Sequence, residues 1–293
     1  MKIREIITLL FTILTSTFLL GQNSGDTLVH NTVLFKITTP NSTKTSFLFG
    51  THHAFGKHFF DSLTIANNAL SSCDILIKEN LNIPGHLAQD VINARETTTK
   101  WSNFLNKENL LFINNMFSSS PTNVDKMTPA ELYTFLNRYY KQQVCLTKQS
   151  SDTTLSLDDH IGAKAEQHNL SLIGLETTEE QIELINNDIE GMPRKVHKKR
   201  LANVIEKIKS KDSTYCEETD WYVNMEIDYQ LKQPCRNALI LTDRNNNWMK
   251  MISESIDSNN CFIAVGLSHL MYECGLIKQL QNLDYIVEPI KVK

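Results

Sequence analysis

The chain has 293 residues, 41% of them apolar, and a formal net charge of -4. This apolar content is normal for a packed globular core, and the length suits one large domain or two small ones. Because the chain is mildly acidic and shows no basic amphipathic face, we expect neither nucleic-acid binding nor attachment to a membrane surface.

The N-terminus has the pattern of a secretory signal peptide. Lys2 and Arg4 precede an apolar run, from Ile6 to Leu20, that contains no charged residue. This run of 15 residues is shorter than the roughly 20 that a membrane-spanning helix needs. We therefore predict that residues 1–21 are a signal peptide and that the mature domain, 22–293, is exported to a periplasmic or extracellular space without a stable membrane span.

A strand-helix-strand unit begins the mature domain. Phe47–Phe49 predict a strand that stops at Gly50, and Ile75–Ile77 predict another that stops at Lys78-Glu79. Between them, apolar residues at helical spacing behind an aspartate cap predict a helix from Asp61 to Ser72. Such a unit is right-handed with parallel strands, so the residues after both strands should emerge on one edge of the sheet.

Two stretches of helical periodicity follow, at about 85–150 and 179–245. Between them, a helix around Asp158 to His168 leads into an apolar strand, Leu170–Ile173. The charged run from Arg194 to Lys211 is most simply a solvated helix face. We interpret the two stretches as a large helical insertion.

The strand-helix-strand pattern returns at the C-terminus. Phe262–Val265 predict a strand that stops at Gly266, a helix follows from about Gly275 to Leu283, and Tyr285–Val287 predict a last strand. The sequence therefore predicts an α/β fold. Its central sheet would be mixed and mainly parallel, built from two related strand-helix-strand halves with the helical insertion between them.

Six cysteines make disulfides feasible in an exported chain. None forms Cys-x-x-Cys, so neither a thiolate zinc site nor a redox motif is indicated. Cys216–Cys235 and Cys261–Cys274 are the leading candidate pairs because their members lie close in sequence. The alternative for Cys73 and Cys261, which lie beside apolar strands, is that both are buried free thiols.

Two Gly-x-x-His motifs directly follow predicted buried strands, from Gly50 to His53 and from Gly266 to His269. Glycine lets the backbone turn sharply and approach a ligand, and a neutral imidazole binds transition metals well. Glu79 ends the partner strand of the first unit and should face the same crevice. Two imidazoles and a carboxylate with open coordination positions are what metal-assisted hydrolysis requires.

These residues also have structural interpretations. A single histidine after a strand more often supports structure than binds a metal, and Glu79 could cap a neighbouring helix. His52 should point away from His53 by strand-like alternation, so we expect it to support the site rather than bind a metal. The remaining histidines without such placement are expected at the surface: His30, His86, His160, His168 and His197.

Other reaction classes fit less well. Ser268 lacks the second glycine of a Gly-x-Ser-x-Gly nucleophile elbow. The sequence contains neither a glycine-rich phosphate loop nor a His-Glu-x-x-His helix, which disfavours nucleotide-dependent chemistry and the common zinc-protease helix.

Five segments in order along the chain resemble the TraB/GumN family, the group that includes the Tiki metalloproteases. They are Phe47 to His53, Ile75 to Glu79, Gly174 to Gln181, Arg244-Asn245, and Val265 to Leu270. The resemblance implies an α/β fold with two related halves around a central sheet. It also implies a divalent metal, manganese or cobalt, with zinc and iron as alternatives.

Transferred to this sequence, the resemblance makes His53 and His269 metal ligands and makes Glu79 a third ligand or the general base. It places Glu176 near the site, and Arg244 with Asn245 on a helix close to it. We expect Arg244 to stabilise a developing oxyanion.

The expected activity is metal-dependent hydrolysis, with a peptide or protein as substrate. The alternative is a non-catalytic protein that binds or sequesters a metal, haem or a peptide in the same crevice. Stoichiometric capture of a ligand without product would favour that alternative.

Overall fold

The structure is a computed structural model that describes residues 29–40, 42–148 and 155–292. The predicted signal peptide, residues 1–21, lies outside the described residues. Among the helices that are described, none combines the length and the apolar character required to span a bilayer.

A six-stranded sheet forms the centre of the described chain. The strands are β1 (Val29–His30), β2 (Leu34–Thr38), β3 (Ser46–Thr51), β4 (Ile75–Lys78), β5 (Ser171–Gly174), β6 (Ile227–Asp228), β7 (Cys261–Gly266) and β8 (Ile286–Ile290). β1 and β6 form a separate antiparallel pair, and the others are arranged in the order β5-β4-β7-β3-β2-β8. β5, β4, β7 and β3 pair in parallel, whereas β2 is antiparallel to β3 and β8. The prediction of a mixed, mainly parallel sheet in an α/β fold is confirmed.

The helices cover both the predicted crossovers and the predicted insertion. They are α1 (Lys57–Asp61), α2 (Thr64–Ser71), α3 (Ala88–Asn93), α4 (Lys107–Phe117), α5 (Pro129–Tyr140), α6 (Leu157–Gln167), α7 (Thr178–Asn187), α8 (Arg194–Ser210), α9 (Glu217–Asn224), α10 (Arg244–Ser258) and α11 (Leu276–Asn282). Short 3₁₀ or π segments lie at Trp101–Asn103, Val124–Lys126, Lys141–Cys145, Ala238–Asp243 and Leu267–Leu270.

The two strand-helix-strand units interlock in the sheet. β3 and β4 both pair with β7, which lies between them. β8 is antiparallel to β2, β2 is antiparallel to β3, and β3 is parallel to β7, so β8 runs in the same direction as β7. β3 and β2 lie between these two strands. All six residues of β7 are buried, as expected of a parallel strand covered on both faces. The C-terminal ends of β3, β7 and β4 are therefore neighbours on one edge.

The predicted helix from Asp61 to Ser72 is wrong in its first turn, because the chain forms two helices there, α1 and α2. Asp61 is the last residue of α1, and Leu63 is the N-cap of α2. The carboxylate of Asp61 does not cap a helix but binds Lys57, His160 and Lys164. These partners are distant in sequence except for Lys57, so local spacing could not reveal them.

The helical stretches have their own hydrophobic core, separate from that of the sheet. Its fully buried members come from α4, α5 and α8: Ile113, Leu132, Leu136, Leu201 and Ile205. α9 joins the two cores, because Cys216 before it packs in the helical core and Tyr222 within it packs in the sheet core.

Both predicted disulfide pairs are wrong. The structure instead joins Cys145 to Cys216 and Cys235 to Cys274, with Cα–Cα distances of 5.3 and 5.9 Å. Cys261 is the fully buried first residue of the central strand β7, and the sheet holds it away from its predicted partner. Cys73 and Cys261 are buried free thiols, as the alternative interpretation expected. Burial raises the pKa of Cys73 to about 12 and that of Cys261 to about 11, so neither thiol is reactive at neutral pH.

Candidate functional site

The two Gly-x-x-His motifs lie side by side at the C-terminal edge of the sheet. Thr51 of the first motif pairs in register with Gly266 of the second, because β3 and β7 are parallel neighbours. Glu79 follows β4 on the other side of β7. Parallel pairing thus brings two motifs that are more than 200 residues apart in sequence to one place.

The motif glycines are required by close contacts. A β-carbon on Gly50 would lie 2.6 Å from Leu267 Cδ1 and 3.3 Å from Leu267 Cα. A β-carbon on Gly266 would lie 3.1 Å from Glu79 Oε1, 3.6 Å from His269 Cδ2 and 3.9 Å from His53 Nε2. Gly50 therefore lets the second motif pack on the first. The distances from Gly266 show that the Glu79 carboxylate and the imidazoles of His53 and His269 surround one small volume beside this glycine.

His53 is oriented by Asp158, the second residue of α6. The Nδ1 of His53 lies 3.0 Å from Asp158 Oδ2, while Thr51 Oγ1 donates to Asp158 Oδ1 at 2.7 Å. The Asp158 carboxylate raises the pKa of His53, whose side chain is 58% exposed. Burial by itself would raise the pKa of Asp158, but the imidazole of His53 lowers it by more, so the pKa of Asp158 lies below its ordinary value. With Nδ1 held by the carboxylate, Nε2 faces the crevice.

His269 is buried, with 3% of its surface exposed, and Asn245 orients it from α10. Asn245 Nδ2 donates to the carbonyls of His269 and Cys274 at 3.2 and 2.8 Å. Its Oδ1 must then be the acceptor for His269 Nδ1, at 2.7 Å, which assigns the proton to Nδ1 and the free lone pair to Nε2. Burial lowers the pKa of His269 to about 4, so the imidazole is neutral at pH 7.

The carboxylate of Glu79 lies between the two motifs. It accepts hydrogen bonds from Gly266 N at 2.7 Å, Arg244 Nη2 at 2.9 Å and Gln181 Nε2 at 3.2 Å, and its Oε1 lies 3.9 Å from His269 Nε2. Burial alone would raise the pKa of Glu79, but the imidazoles of His269 and His53 and the guanidinium of Arg244 lower it. Glu79 is therefore ionised at neutral pH.

Arg244, the first residue of α10, is held by Glu176 after β5. Arg244 Nε and Nη2 donate to the two oxygens of Glu176 at 2.8 and 2.7 Å, a bidentate pair. Trp248, one turn further along α10, donates to Glu176 Oε1 at 3.0 Å and packs on the Arg244 guanidinium, 4.7 Å from its ring. Arg244 Nη1 also donates to His269 Nε2 at 2.9 Å. The structure thus brings all the predicted site residues together except His52.

His52 belongs to a different cluster, under the sheet edge. Its Nδ1 accepts from Ala54 N at 3.2 Å, so the proton is on Nε2, which lies 3.2 Å from Glu218 Oε1. The ring is buried and packs edge-on against Phe55 and at a tilt against Tyr222. His52 therefore points away from the crevice and supports the first motif through packing.

His160 was expected at the surface, and this is wrong: it is buried, with 6% exposed, and its Nε2 lies 2.8 Å from Asp61 Oδ1. Asp158, the partner of His53, was not among the predicted site residues. Gln181, which contacts Glu79, was not predicted either. It lies in the segment from Gly174 to Gln181 that resembles the family, and this resemblance could have identified it. Asp158 carried no comparable signal, since it was noted only as the start of a helix.

Two imidazoles and a carboxylate are suitable donors for a divalent cation, but their side chains are not arranged here as a complete set of metal ligands. Within the described ranges, no group of three His, Cys, Asp or Glu side chains is arranged so that it could hold a metal ion. Nonetheless, each motif imidazole has its Nδ1 held by an oxygen, the usual support of histidine ligands. His269 Nε2 lies 3.9 Å from Glu79 Oε1, and His53 Nε2 and Glu79 Oε1 both lie within 4 Å of one point beside Gly266. The guanidinium of Arg244 occupies the lone pair of His269 Nε2 and would have to leave it before a cation could bind there.

No curated protein and no solved structure matches the chain. A model of the TraB/PrgY/gumN family matches residues 33–289, nearly the whole chain. The matched range includes both Gly-x-x-His motifs and every residue of the site described above. The chain therefore belongs to the TraB/PrgY/gumN family.

Proposed function

We propose that this protein is a metal-dependent hydrolase that acts on peptide bonds. The observation that carries the proposal is the matched support of the two motif imidazoles. Asp158 holds Nδ1 of His53 and Asn245 holds Nδ1 of His269. His269 Nε2 lies 3.9 Å from Glu79 Oε1, and His53 Nε2 borders the same small volume beside Gly266. A structural histidine such as His160 can also pair with a carboxylate, but two supported imidazoles that border one small volume together with a carboxylate are typical of a ligand set.

In this proposal His53 and His269 hold a divalent cation through Nε2, and Glu79 is the third ligand or the general base. Manganese or cobalt is the proposed cation, with zinc or iron as alternatives. When bound, such a cation acidifies a water molecule and polarises a carbonyl group. At neutral pH His269 is neutral and Glu79 is ionised, the protonation states that ligands need. Asp158 raises the pKa of His53, so a cation that binds there competes with a proton.

The protein's own residues supply orientation and charge. Glu79, fixed by the backbone N–H of Gly266, is placed to accept a proton from an attacking water. Arg244, anchored on Glu176, carries a fixed positive charge next to that carboxylate, where it can donate to an oxyanion as charge develops. A peptide carbonyl oriented between these groups would be the reacting group.

We also propose that the mature domain functions outside the cytoplasm. The signal-peptide pattern of residues 1–21 supports this, and so do the two disulfides, which persist in oxidising compartments and are rare in the cytosol. Fractionation of expressing cells, with mass spectrometry of the mature N-terminus, tests this proposal.

The test of function uses the purified mature chain, 22–293. Equilibrium dialysis with Mn²⁺ and Co²⁺ measures cation binding, and incubation with a peptide library followed by mass spectrometry detects cleavage. His53→Ala and His269→Gln should abolish both binding and cleavage. Asp158→Ala and Asn245→Ala should lower cation affinity by about 10–100-fold, because they remove the groups that orient the ligands.

His168→Ala is the matched control, since His168 is exposed and its imidazole makes no contact with the site. Circular dichroism of every variant separates loss of binding from loss of folding. Cation binding with no cleavage of any peptide would favour a binding or sequestering protein. Full binding and cleavage in the His53 and His269 variants would eliminate the proposed site.

A further inference from the structure

The guanidinium of Arg244 contacts two of the three proposed ligand residues, His269 and Glu79. Its Nη1 donates to His269 Nε2 at 2.9 Å, and its Nη2 donates to Glu79 Oε2 at 2.9 Å. Only 11% of the Arg244 side chain and 12% of the Glu79 side chain are exposed, so water screens this contact poorly. The lone pair of His269 Nε2 cannot serve this N–H and a metal ion simultaneously.

A second set of contacts holds Arg244 independently of the ligands. Nε and Nη2 form the bidentate pair with Glu176, whose side chain is 9% exposed. Trp248 donates to the same carboxylate and packs against the guanidinium. The contacts with Glu176 use Nε and Nη2, whereas the contact with His269 uses Nη1. The N–H group that reaches His269 is therefore not one of those that bind Glu176.

We propose that Arg244 is an intramolecular competitor for the divalent cation. Without the cation its positive charge occupies Glu79 and His269; when the cation binds, the guanidinium withdraws to Glu176, because two positive charges in this buried volume repel each other. The inference rests on the proposed metal site and adds its regulation. Loading of the site then depends on the cation concentration, and withdrawal frees Nη1 to face a substrate carbonyl.

Cation affinity measured by isothermal titration calorimetry with Mn²⁺ and Co²⁺ tests this proposal on the mature chain. Arg244→Met removes the competing charge with little change in side-chain length, and it should bind both cations at least about tenfold more tightly than the wild type. Arg244→Gln is a second, hydrogen-bonding variant with the same expected direction in case the first folds poorly. Arg194→Met, at an exposed arginine that begins α8, removes the same charge elsewhere and should leave the affinity unchanged.

A double-mutant cycle checks the role of Glu176. Glu176→Gln should weaken cation binding in the wild type, because Arg244 loses the position to which it withdraws. The same substitution should have a much smaller effect in the Arg244→Met background, where no guanidinium has to move. Equal effects in the two backgrounds would mean that Glu176 acts on the cation directly, and would overturn the proposed withdrawal of Arg244.

Cation binding by the wild type and the variants separates the competition by Arg244 from the metal site itself. If wild type binds a cation and His269→Gln does not, but both Arg244 variants bind no more tightly than wild type, the competition is wrong and the metal site stands. If neither wild type nor the Arg244 variants bind either cation, both proposals are overturned.

Discussion

Replacing Gly50 by alanine tests whether the two motifs depend on each other for packing. The new β-carbon would lie 2.6 Å from Leu267 Cδ1 and 3.3 Å from Leu267 Cα. The leucine side chain can rotate away, but its Cα belongs to the backbone of the second motif and cannot move without shifting His269. Overpacking of a buried position costs about 1–3 kcal/mol, so we expect the free energy of unfolding to fall by that amount.

The assay is thermal unfolding followed by circular dichroism, together with urea unfolding. For a domain of this size, a loss of 1 kcal/mol lowers the melting temperature by about 2–4 °C. Gly162→Ala, within α6, is the matched control. A β-carbon on Gly162 would contact only the Lys78 side chain, at 3.4 Å from Nζ and 4.0 Å from Cδ. Alanine in a helix interior should leave stability unchanged or raise it by about 0.4–1 kcal/mol. A Gly50→Ala protein as stable as wild type would refute the packing argument.

Three further substitutions test the connections around the site. Tyr222→Phe removes a buried hydroxyl that donates to a motif carbonyl at 2.7 Å, so the free energy of unfolding in urea should drop by about 1–3 kcal/mol; an unchanged midpoint would contradict this. Burial favours a higher pKa for Glu131, but Arg95 and neighbouring donors lower it; its stabilisation is therefore complete above the ordinary glutamate pKa and is lost as pH falls below it. Glu131→Gln should cost about 3 kcal/mol at pH 7 and flatten the decline in stability between pH 5 and pH 3, whereas an equal decline in both proteins would assign it to other groups. Replacing Cys145 and Cys216 together by serine opens a loop with a sequence separation of 71, which chain entropy values at about 4 kcal/mol; calorimetry should show a lower melting temperature, and no change would mean that the helical core alone holds α9 in place.

Local patterns were sufficient to predict the strands that carry the site, although not β2, which lies in the same sheet. Phe47–Phe49, Ile75–Ile77 and Phe262–Val265 are continuous apolar runs that stop at glycine or charge, which is the pattern of buried parallel strands. Side chains that follow such strands emerge on one edge whatever the strand order is. That is why His53, His269 and Glu79 could be placed together before the structure was known.

Contacts between segments that are distant in sequence could not be predicted from local patterns. The pairing of Cys145 with Cys216 depends on how α5 and α9 pack, and closeness in sequence pointed to the wrong partners. His160 is buried because Asp61 faces it across the α1–α6 contact, and no local pattern encodes that pair. Asp158 orients His53 for a similar reason, since the first turn of α6 meets Thr51 at the end of β3.

By itself the sequence determined the strands that carry the motifs, the strand-end positions of both motifs and the candidate residues, because apolar periodicity and chain breaks act over a few residues. It did not predict β2 or the β1–β6 pair. Only the tertiary structure decided the strand order, the disulfide pairs, the tautomer of His269, and the contacts of Arg244 with His269 and Glu79. These depend on hydrogen bonds and charges that meet across long sequence separations, so their energies exist only once the chain is folded.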